Sequence, residues 1–541
     1  MDPRLAPARQ LAALIRPRSF HSTIGSVRSF TVYGRLQQQP APPSTSSTGP
    51  FVRHVVPDQA WARSQARGQD EPDFFPYRPM LSGPNAPVQP DGRPGHRDVP
   101  ANNIAISLDG TVHSFSPLLL RDLCQCARCV DQSTRQKLFS TVEIPADIKA
   151  TVVPNEGSTA VHLRWSEDIP GIGAGHITSL PLDTLRNITE TGSPSNVLKP
   201  PSRILWTADT FRKDVQDIDY EAYMSDDATL YQALLNLHTH GMLFLTNVPE
   251  SESAVSTIAE RIGPLKNTFY GSTWDVRSVP QAKNVAYTSQ HLGFHMDLLY
   301  MKQPPHLQFL HCIRSSSAGG ASLFTDSHKA AQDLFFADFE AFEALSKLPV
   351  TFHYDHPESH HYKQHRHVIE LSEHLFFGRL KVRSLRHLRK AQDGAGLSQP
   401  DLNISNWIDA ISWSPPFQAP FSLQSAEDPS GISPLSRSPP TENLNFAVEQ
   451  WHAAASKFSQ LIHRPQGIYE RMMRPGECVL FDNRRVLHAR KAFEAGDAGK
   501  ERWLRGAYLD KDPYLSKMRV LHGRFSGLHQ PRTGTTEDAQ A

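Results

Sequence analysis

The segment Gly293-Phe294-His295-Met296-Asp297 sets an imidazole and a carboxylate two positions apart. On an extended backbone, residues i and i+2 project to one face, so His295 and Asp297 reach one ion while Met296 points away. A third donor stands 193 positions downstream of His295. There Leu480-Phe481-Asp482-Asn483-Arg484-Arg485-Val486-Leu487-His488 reads as an apolar strand and turn delivering a histidine. Two histidines and one carboxylate on one face of a metal leave three positions open, as in the non-haem Fe(II) oxygenases. In a chain with 26 histidines an H-x-D pair by itself is a weak signal. The ordered set is stronger, because Arg502 follows His488 by 14 positions. A guanidinium there suits the far carboxylate of 2-oxoglutarate as a bidentate pair, while the 2-oxo acid end chelates iron.

Three further groups carry possible chemistry. Cys124, Cys126 and Cys129 offer three soft ligands within six positions, short of the four a tetrahedral structural zinc requires. Five cysteines are too few and too clustered for a disulfide framework, which suggests metal in a reducing compartment. Tyr270 and Trp274, four apart, with Tyr287 and Tyr508 from two other blocks, either pack a barrel or face a cation through their rings. His353, His356, His360, His361, His365 and His367 lack regular spacing and sit among Asp355, Glu358, Lys363 and Arg366, so we expect a solvated loop rather than a metal site.

The elements that must position these residues are legible in outline. At 541 residues the chain exceeds one ordinary domain. Its formal charge of +1 carries no basic footprint for nucleic acid and no polybasic membrane patch, and no apolar run approaches a membrane span. Residues 1–56 hold seven arginines and a single acid, Asp2, with frequent Ser and Thr, the signature of a mitochondrial transit peptide. We expect a linker over 57–98 and a first compact unit over 99–190 with β pieces at Ile104 to Leu108 and Ala160 to Trp165. The second unit spans 200–525, with a Pro/Ser-rich surface insertion at about 391–442, and a tail covers 526–541. In the second unit, helices are expected over Ser225 to His240, with Ser225 as N-cap and Gly241 as stop, and over Ser251 to Ile262. Strands are expected at Met242 to Thr246, Asn284 to Thr288, Leu307 to Ile313, Cys478 to Phe481 and Leu504 to Leu509. Helices around many β pieces point to a mainly β fold, a sandwich or barrel with helical flanks.

From about Asn102 to Arg524 the sequence resembles the γ-butyrobetaine dioxygenase and trimethyllysine dioxygenase family, a branch of the taurine-dioxygenase-like oxygenases. The resemblance is carried by Phe269-Tyr-Gly-Ser-Thr-Trp274, Asn284-Val-Ala-Tyr-Thr288, the His295/Asp297 pair, Leu310-His-Cys-Ile313 with Gly319-Gly320, the segment ending in His488, and Arg502-Trp-Leu-Arg-Gly-Ala-Tyr508. It implies a double-stranded β-helix (jelly-roll) catalytic core behind a small zinc-binding α+β domain, a homodimer, and location in the mitochondrial matrix, with the cytoplasm as the alternative. It implies Fe(II) at His295, Asp297 and His488, 2-oxoglutarate at Arg502 and Asn284, and ascorbate as reductant. By position it makes His176 the fourth zinc ligand, in preference to His162. It implies a trimethylammonium cage of Tyr270, Trp274, Tyr287 and Tyr508, hence hydroxylation of γ-butyrobetaine to L-carnitine. Two departures keep trimethyllysine or a secondary metabolite open. Leu298 stands where the family has a tyrosine, and Ser412 stands where it has an asparagine that grips the substrate carboxylate. A catalytically dead zinc-containing scaffold is the rival from another class.

Overall fold

The computed structural model describes residues 103–154, 159–172, 175–194, 201–277, 288–315, 319–372, 389, 403–422, 439–494 and 502–525. The expected leader, linker and tail lie outside them, as do Asn284, Tyr287 and the strand expected at Asn284 to Thr288, apart from Thr288.

The first segment is a small α+β layer. A hairpin pairs Ile104–Leu108 with Thr111–Phe115 through Asp109-Gly110. Both turn residues have positive φ (50° and 81°), the conformation that matches a two-residue turn to the twist of its strands. The helix Pro117–Asp122 follows, then a three-stranded antiparallel sheet of Ala150–Val153, Ala160–Trp165 and Ile177–Pro181. Leu120, Leu163, Leu180 and Leu185 bury the contact between these pieces.

The larger part is built on two sheets. One runs in the order Ile218–Asp219, Met242–Thr246, Glu477–Asp482, Leu307–Arg314, Trp503–Leu509, Thr273–Arg277. The other runs Tyr469–Arg471, Ser322–Asp326, Val486–Arg490, Leu292–His295. Met242–Thr246 and Leu307–Arg314 are nearly continuous apolar runs because both faces of their sheet are covered. A buried ion pair fixes the second sheet: Arg485 donates to both Asp326 oxygens (3.1 and 2.8 Å) and to the carbonyls of Thr239 and Ile204. Asp326 in turn caps the helix Ser327–Ala337, accepting from the His328 and Lys329 amides.

Several local expectations are corrected. The helix expected over 225–240 is Asp227–Thr239, and a separate helix, Tyr220–Ser225, precedes it. The longer is capped by Asp226, whose carboxylate accepts from the Ala228 and Thr229 amides, and Ser225 ends the shorter by bonding the Glu221 carbonyl. The helix expected over 251–262 is confined to Ala254–Glu260. The described part of 391–442 is not a surface insertion. Ile404, Ile408, Ile411 and Trp413 are buried, and Ile408–Ile411 pairs with Ile369–Leu371. The long helix Pro440–Ile462 packs Trp451 and Phe458 against Trp413. The histidine-rich stretch is a hairpin, Pro349–His356 against His360–His367, rather than a loop. Alternation puts Val350, Phe352 and Tyr354 into the core, and it is this that makes the stretch a strand.

Candidate active site

Strand register brings the two histidines together. Leu292–His295 pairs antiparallel with Val486–Arg490 so that His295 lies directly opposite His488, their ring centroids 4.1 Å apart. Asp297 follows just past the strand end, and Asn483 clamps its backbone. The Asn483 Oδ1 accepts from the Asp297 amide (2.9 Å), and its Nδ2 donates to the Asp297 carbonyl (3.0 Å) and to that of Pro305 (3.2 Å). The next residue, Leu298, is buried at φ 59°, a left-handed conformation costing a branched side chain roughly 1–3 kcal/mol. The clamp holds the chain there and turns Asp297 back towards the histidines.

Asp297 Oδ1 lies 3.4 Å from His295 Nε2 and 3.9 Å from His488 Nε2, and one donor atom from each residue falls within 4.8 Å of the others. His295 Nδ1 meets the Gly293 carbonyl at 2.9 Å, which makes it the protonated nitrogen and leaves the Nε2 lone pair for a metal. Burial pushes His488 down to about 3, so its ring is neutral and also has a lone pair. Burial alone would raise the Asp297 carboxyl, yet its polar surroundings, the two imidazoles and the Tyr508 hydroxyl that donates to it, hold it well below the usual carboxylate range. Two imidazoles and one carboxylate are a donor set that fits Fe(II).

The three donors open into a pocket of about 560 Å³ between the two sheets, lined also by Trp274, Gln308, Ser322 and Arg502. Arg502 is only 5 % exposed, and burial pushes its guanidinium down to about 10, still protonated at neutral pH. Among the described residues it has no hydrogen-bond or ion-pair partner, and its guanidinium lies 5.7 Å from the Phe493 ring. Arg490 lies over the same ring at 4.8 Å and donates to the Thr288 and Gln290 carbonyls (2.6 and 2.8 Å). A buried cation that faces a pocket with no bonded partner among the described residues suits an anionic ligand.

Tyr508, Trp274, Tyr270 and Tyr300 pack in one apolar cluster but differ in their direct partners. Tyr508 donates its hydroxyl to Asp297 Oδ2 (2.6 Å) and stacks on Trp274 at 3.9 Å and 19°. Gly506 permits this, since a Cβ there would lie 2.3 Å from the Trp274 ring. The Tyr270 hydroxyl lies 3.3 Å from that of Tyr300, and its ring meets Phe269 and Tyr354. Tyr287 and Asn284 are outside the described residues. Ser412 is buried away from the pocket lining, donating to Glu370 (2.6 Å) and accepting from Arg484 (3.1 Å). Gln308, Asn483 and Arg490 escape a reading of residue types. For Gln308 the signal was the alternation of Leu307–Arg314, which puts it on the face shared with Leu310.

The second cluster is closed. His176 Nε2 lies 3.4, 3.3 and 3.5 Å from the sulfurs of Cys124, Cys126 and Cys129. Bonds of about 2.3 Å to sulfur and about 2.0 Å to nitrogen set the S···N edges of a tetrahedral zinc at roughly 3.5 Å, so the four residues fit zinc. His176 Nδ1 meets Asp168 at 2.7 Å, and Arg121, fully buried, bonds both Asp168 (2.6 Å) and Cys129 (3.4 Å). His162 sits in the strand Ala160–Trp165, outside the cluster.

Residues 203–508 match the family described as taurine catabolism dioxygenase TauD, TfdA, and residues 101–172 match the γ-butyrobetaine hydroxylase-like N-terminal family. The chain is 34 % identical to dioxygenase str8 of Strobilurus tenacellus, over 74 % of this chain and 84 % of that one. It is 27 % identical to the mitochondrial trimethyllysine dioxygenase of Mus musculus (79 % and 86 % covered) and 28 % identical to the γ-butyrobetaine dioxygenase of a Pseudomonas strain (76 % and 92 % covered). A family match over more than half of the chain, together with that three-donor pocket, makes this protein a member of the TauD/TfdA family and a 2-oxoglutarate-dependent dioxygenase.

Proposed function

We propose that His295, Asp297 and His488 hold Fe(II), that Arg502 anchors 2-oxoglutarate, and that the enzyme hydroxylates a C–H bond of a small trimethylammonium substrate. The observation that carries this reading is the pairing, in one pocket, of three convergent metal donors with a buried arginine that has no hydrogen-bond or ion-pair partner among the described residues. When bound, the iron couples decarboxylation of 2-oxoglutarate to succinate and carbon dioxide with delivery of one oxygen atom to the substrate. The chain's own part is placement. The Gly293 carbonyl orients His295, and Asn483 holds the Asp297 backbone. Arg502 selects a cosubstrate with a second carboxylate, and the apolar walls from Trp274, Phe324 and Leu504 exclude water. The cysteine cluster with His176 is a structural zinc site, since all four positions are taken.

γ-Butyrobetaine, giving L-carnitine, is the first substrate to test. Support comes from the named relatives and from the tyrosines around Tyr270 and Tyr300, whose rings suit a quaternary ammonium. Trimethyllysine or a secondary metabolite is the second reading. It is favoured by Tyr508, whose hydroxyl and one ring face are already engaged, and by Leu298 in place of the family's tyrosine. Homodimerisation, ascorbate as reductant and a mitochondrial matrix location follow the family and the arginine-rich leader. The experiment is succinate formation by purified, Fe(II)-loaded protein with γ-butyrobetaine, with trimethyllysine and with neither. Stimulation by γ-butyrobetaine with carnitine formed in step supports the first reading, and stimulation by trimethyllysine alone supports the second. Indifference to both removes the trimethylammonium class.

A further inference from the structure

The carboxylate of Asp297 is asymmetric. Its Oδ1 faces the two histidines, while Oδ2 is held from behind by two donors, Tyr508 Oη at 2.6 Å and Gln308 Nε2 at 2.8 Å. These two residues are cross-strand partners in adjacent strands, directly opposite one another in the register of Leu307–Arg314 and Trp503–Leu509. Both are about 2 % exposed. Neither is a free rotor. Tyr508 is stacked on Trp274, and Gln308 spends its amide nitrogen on Asp297 while its amide oxygen is buried without a partner. A buried acceptor left bare is a cost that a leucine or methionine at 308 would avoid, so the position is shaped around that one donated bond.

We propose that Gln308 and Tyr508 form a lock that keeps Asp297 bound to the metal through one oxygen, making them positioning residues for the iron centre rather than substrate contacts. The inference rests on the triad reading above. A carboxylate can bind a metal through one oxygen or two. With both lone-pair regions of Oδ2 drawn to donors, only Oδ1 is presented to the site, and the position a second oxygen would take stays available to cosubstrate. The two donors also disperse the charge of a carboxylate buried beside the two imidazoles. The Tyr508 hydroxyl is then committed to Asp297.

The test is Fe(II) affinity, measured by competition with a chromophoric chelator on the full-length protein, for wild type, Tyr508→Phe, Gln308→Met, the double variant and His295→Ala. The visible charge-transfer band of the Fe(II)–2-oxoglutarate chelate and the melting temperature without metal are read on the same samples. The lock predicts a roughly tenfold loss of affinity for each single variant, and more for the double. It also predicts a shifted or weakened band and a smaller rise in melting temperature on adding Fe(II). Gln308→Glu, of equal size but with an acceptor in place of the donor, should be no better than Gln308→Met. If both single variants bind Fe(II) within twofold of wild type and keep its band, with or without a lower melting temperature, the residues only pack the barrel and the lock is wrong. If instead His295→Ala binds Fe(II) as wild type does, the triad reading itself fails and takes the lock with it.

Discussion

The two donor clusters of this chain are built on opposite plans. Cys124, Cys126 and Cys129 come from one turn behind the helix Pro117–Asp122, and His176 closes the set just before the strand Ile177–Pro181. Four donors surround one point, and Arg121 and Asp168 seal the outside. His295, Asp297 and His488 stand on two paired strands and a clamped loop, and their open side faces a pocket that Arg502 also lines. A closed four-donor site has nowhere to bind substrate and contributes to folding, whereas an open three-donor site gives up stability for access. In both, an outer layer of hydrogen bonds orients the donors, Asp168 for His176 and Gln308 with Tyr508 for Asp297.

That contrast can be broken at either end. The largest effect is expected at the closed site. Cys129→Ser or zinc chelation should destabilise the segment 103–194 steeply, since structural zinc supplies on the order of 10 kcal/mol in small zinc-dependent folds. Urea unfolding followed near Trp165 checks this, and unchanged stability would mean the cysteines hold no metal. At the open site, His488→Ala should leave the fold intact and reduce 2-oxoglutarate turnover by more than the roughly 100-fold ceiling of outer-shell changes. Succinate assays with circular dichroism separate those two outcomes. Arg502→Met should raise KM for 2-oxoglutarate, with a loss of about 2–5 kcal/mol in kcat/KM, and Arg502→Lys should restore only part because a bidentate fork becomes a point charge. An unchanged KM would detach Arg502 from the cosubstrate. Asp168→Ala should weaken zinc binding by roughly 10–100-fold without touching 2-oxoglutarate kinetics. Smallest of all, Asp226→Ala removes a helix cap worth about 1 kcal/mol and should move the melting temperature while leaving both centres alone.

What could be read from the sequence follows from how local the signal is. The cysteine turn was visible because its spacing is itself the geometry. Met242–Thr246, Ile104–Leu108 and Ala160–Trp165 were visible because runs of apolar or alternating residues dictate strands directly. The second helix start went to Asp226 rather than Ser225 because a residue that caps well also ends a preceding helix well, and composition cannot tell the two apart. The histidine-rich hairpin looked like a loop because its polar residues dominate one strand while the buried face of the other is only three residues deep. In 403–422 the prolines and serines masked four buried apolar residues whose neighbours come from elsewhere in the chain, the strand Ile369–Leu371 for Ile408 and Ile411 and the helix Pro440–Ile462 for Trp413.

The sequence by itself determined the donor types, their order and the family: an imidazole and a carboxylate two apart, a histidine far downstream, an arginine 14 beyond it, and three clustered thiols. It could do so because metal chemistry depends on which atoms are offered, and residue type alone states that. Only the tertiary structure decided what those residues do for one another. That His295 faces His488, that Gln308 faces Tyr508, and that the Tyr508 hydroxyl turns to Asp297 rather than to a substrate all depend on strand register. Register is set by how the two apolar faces fit together, and a shift of one residue would send each of these side chains to the opposite face.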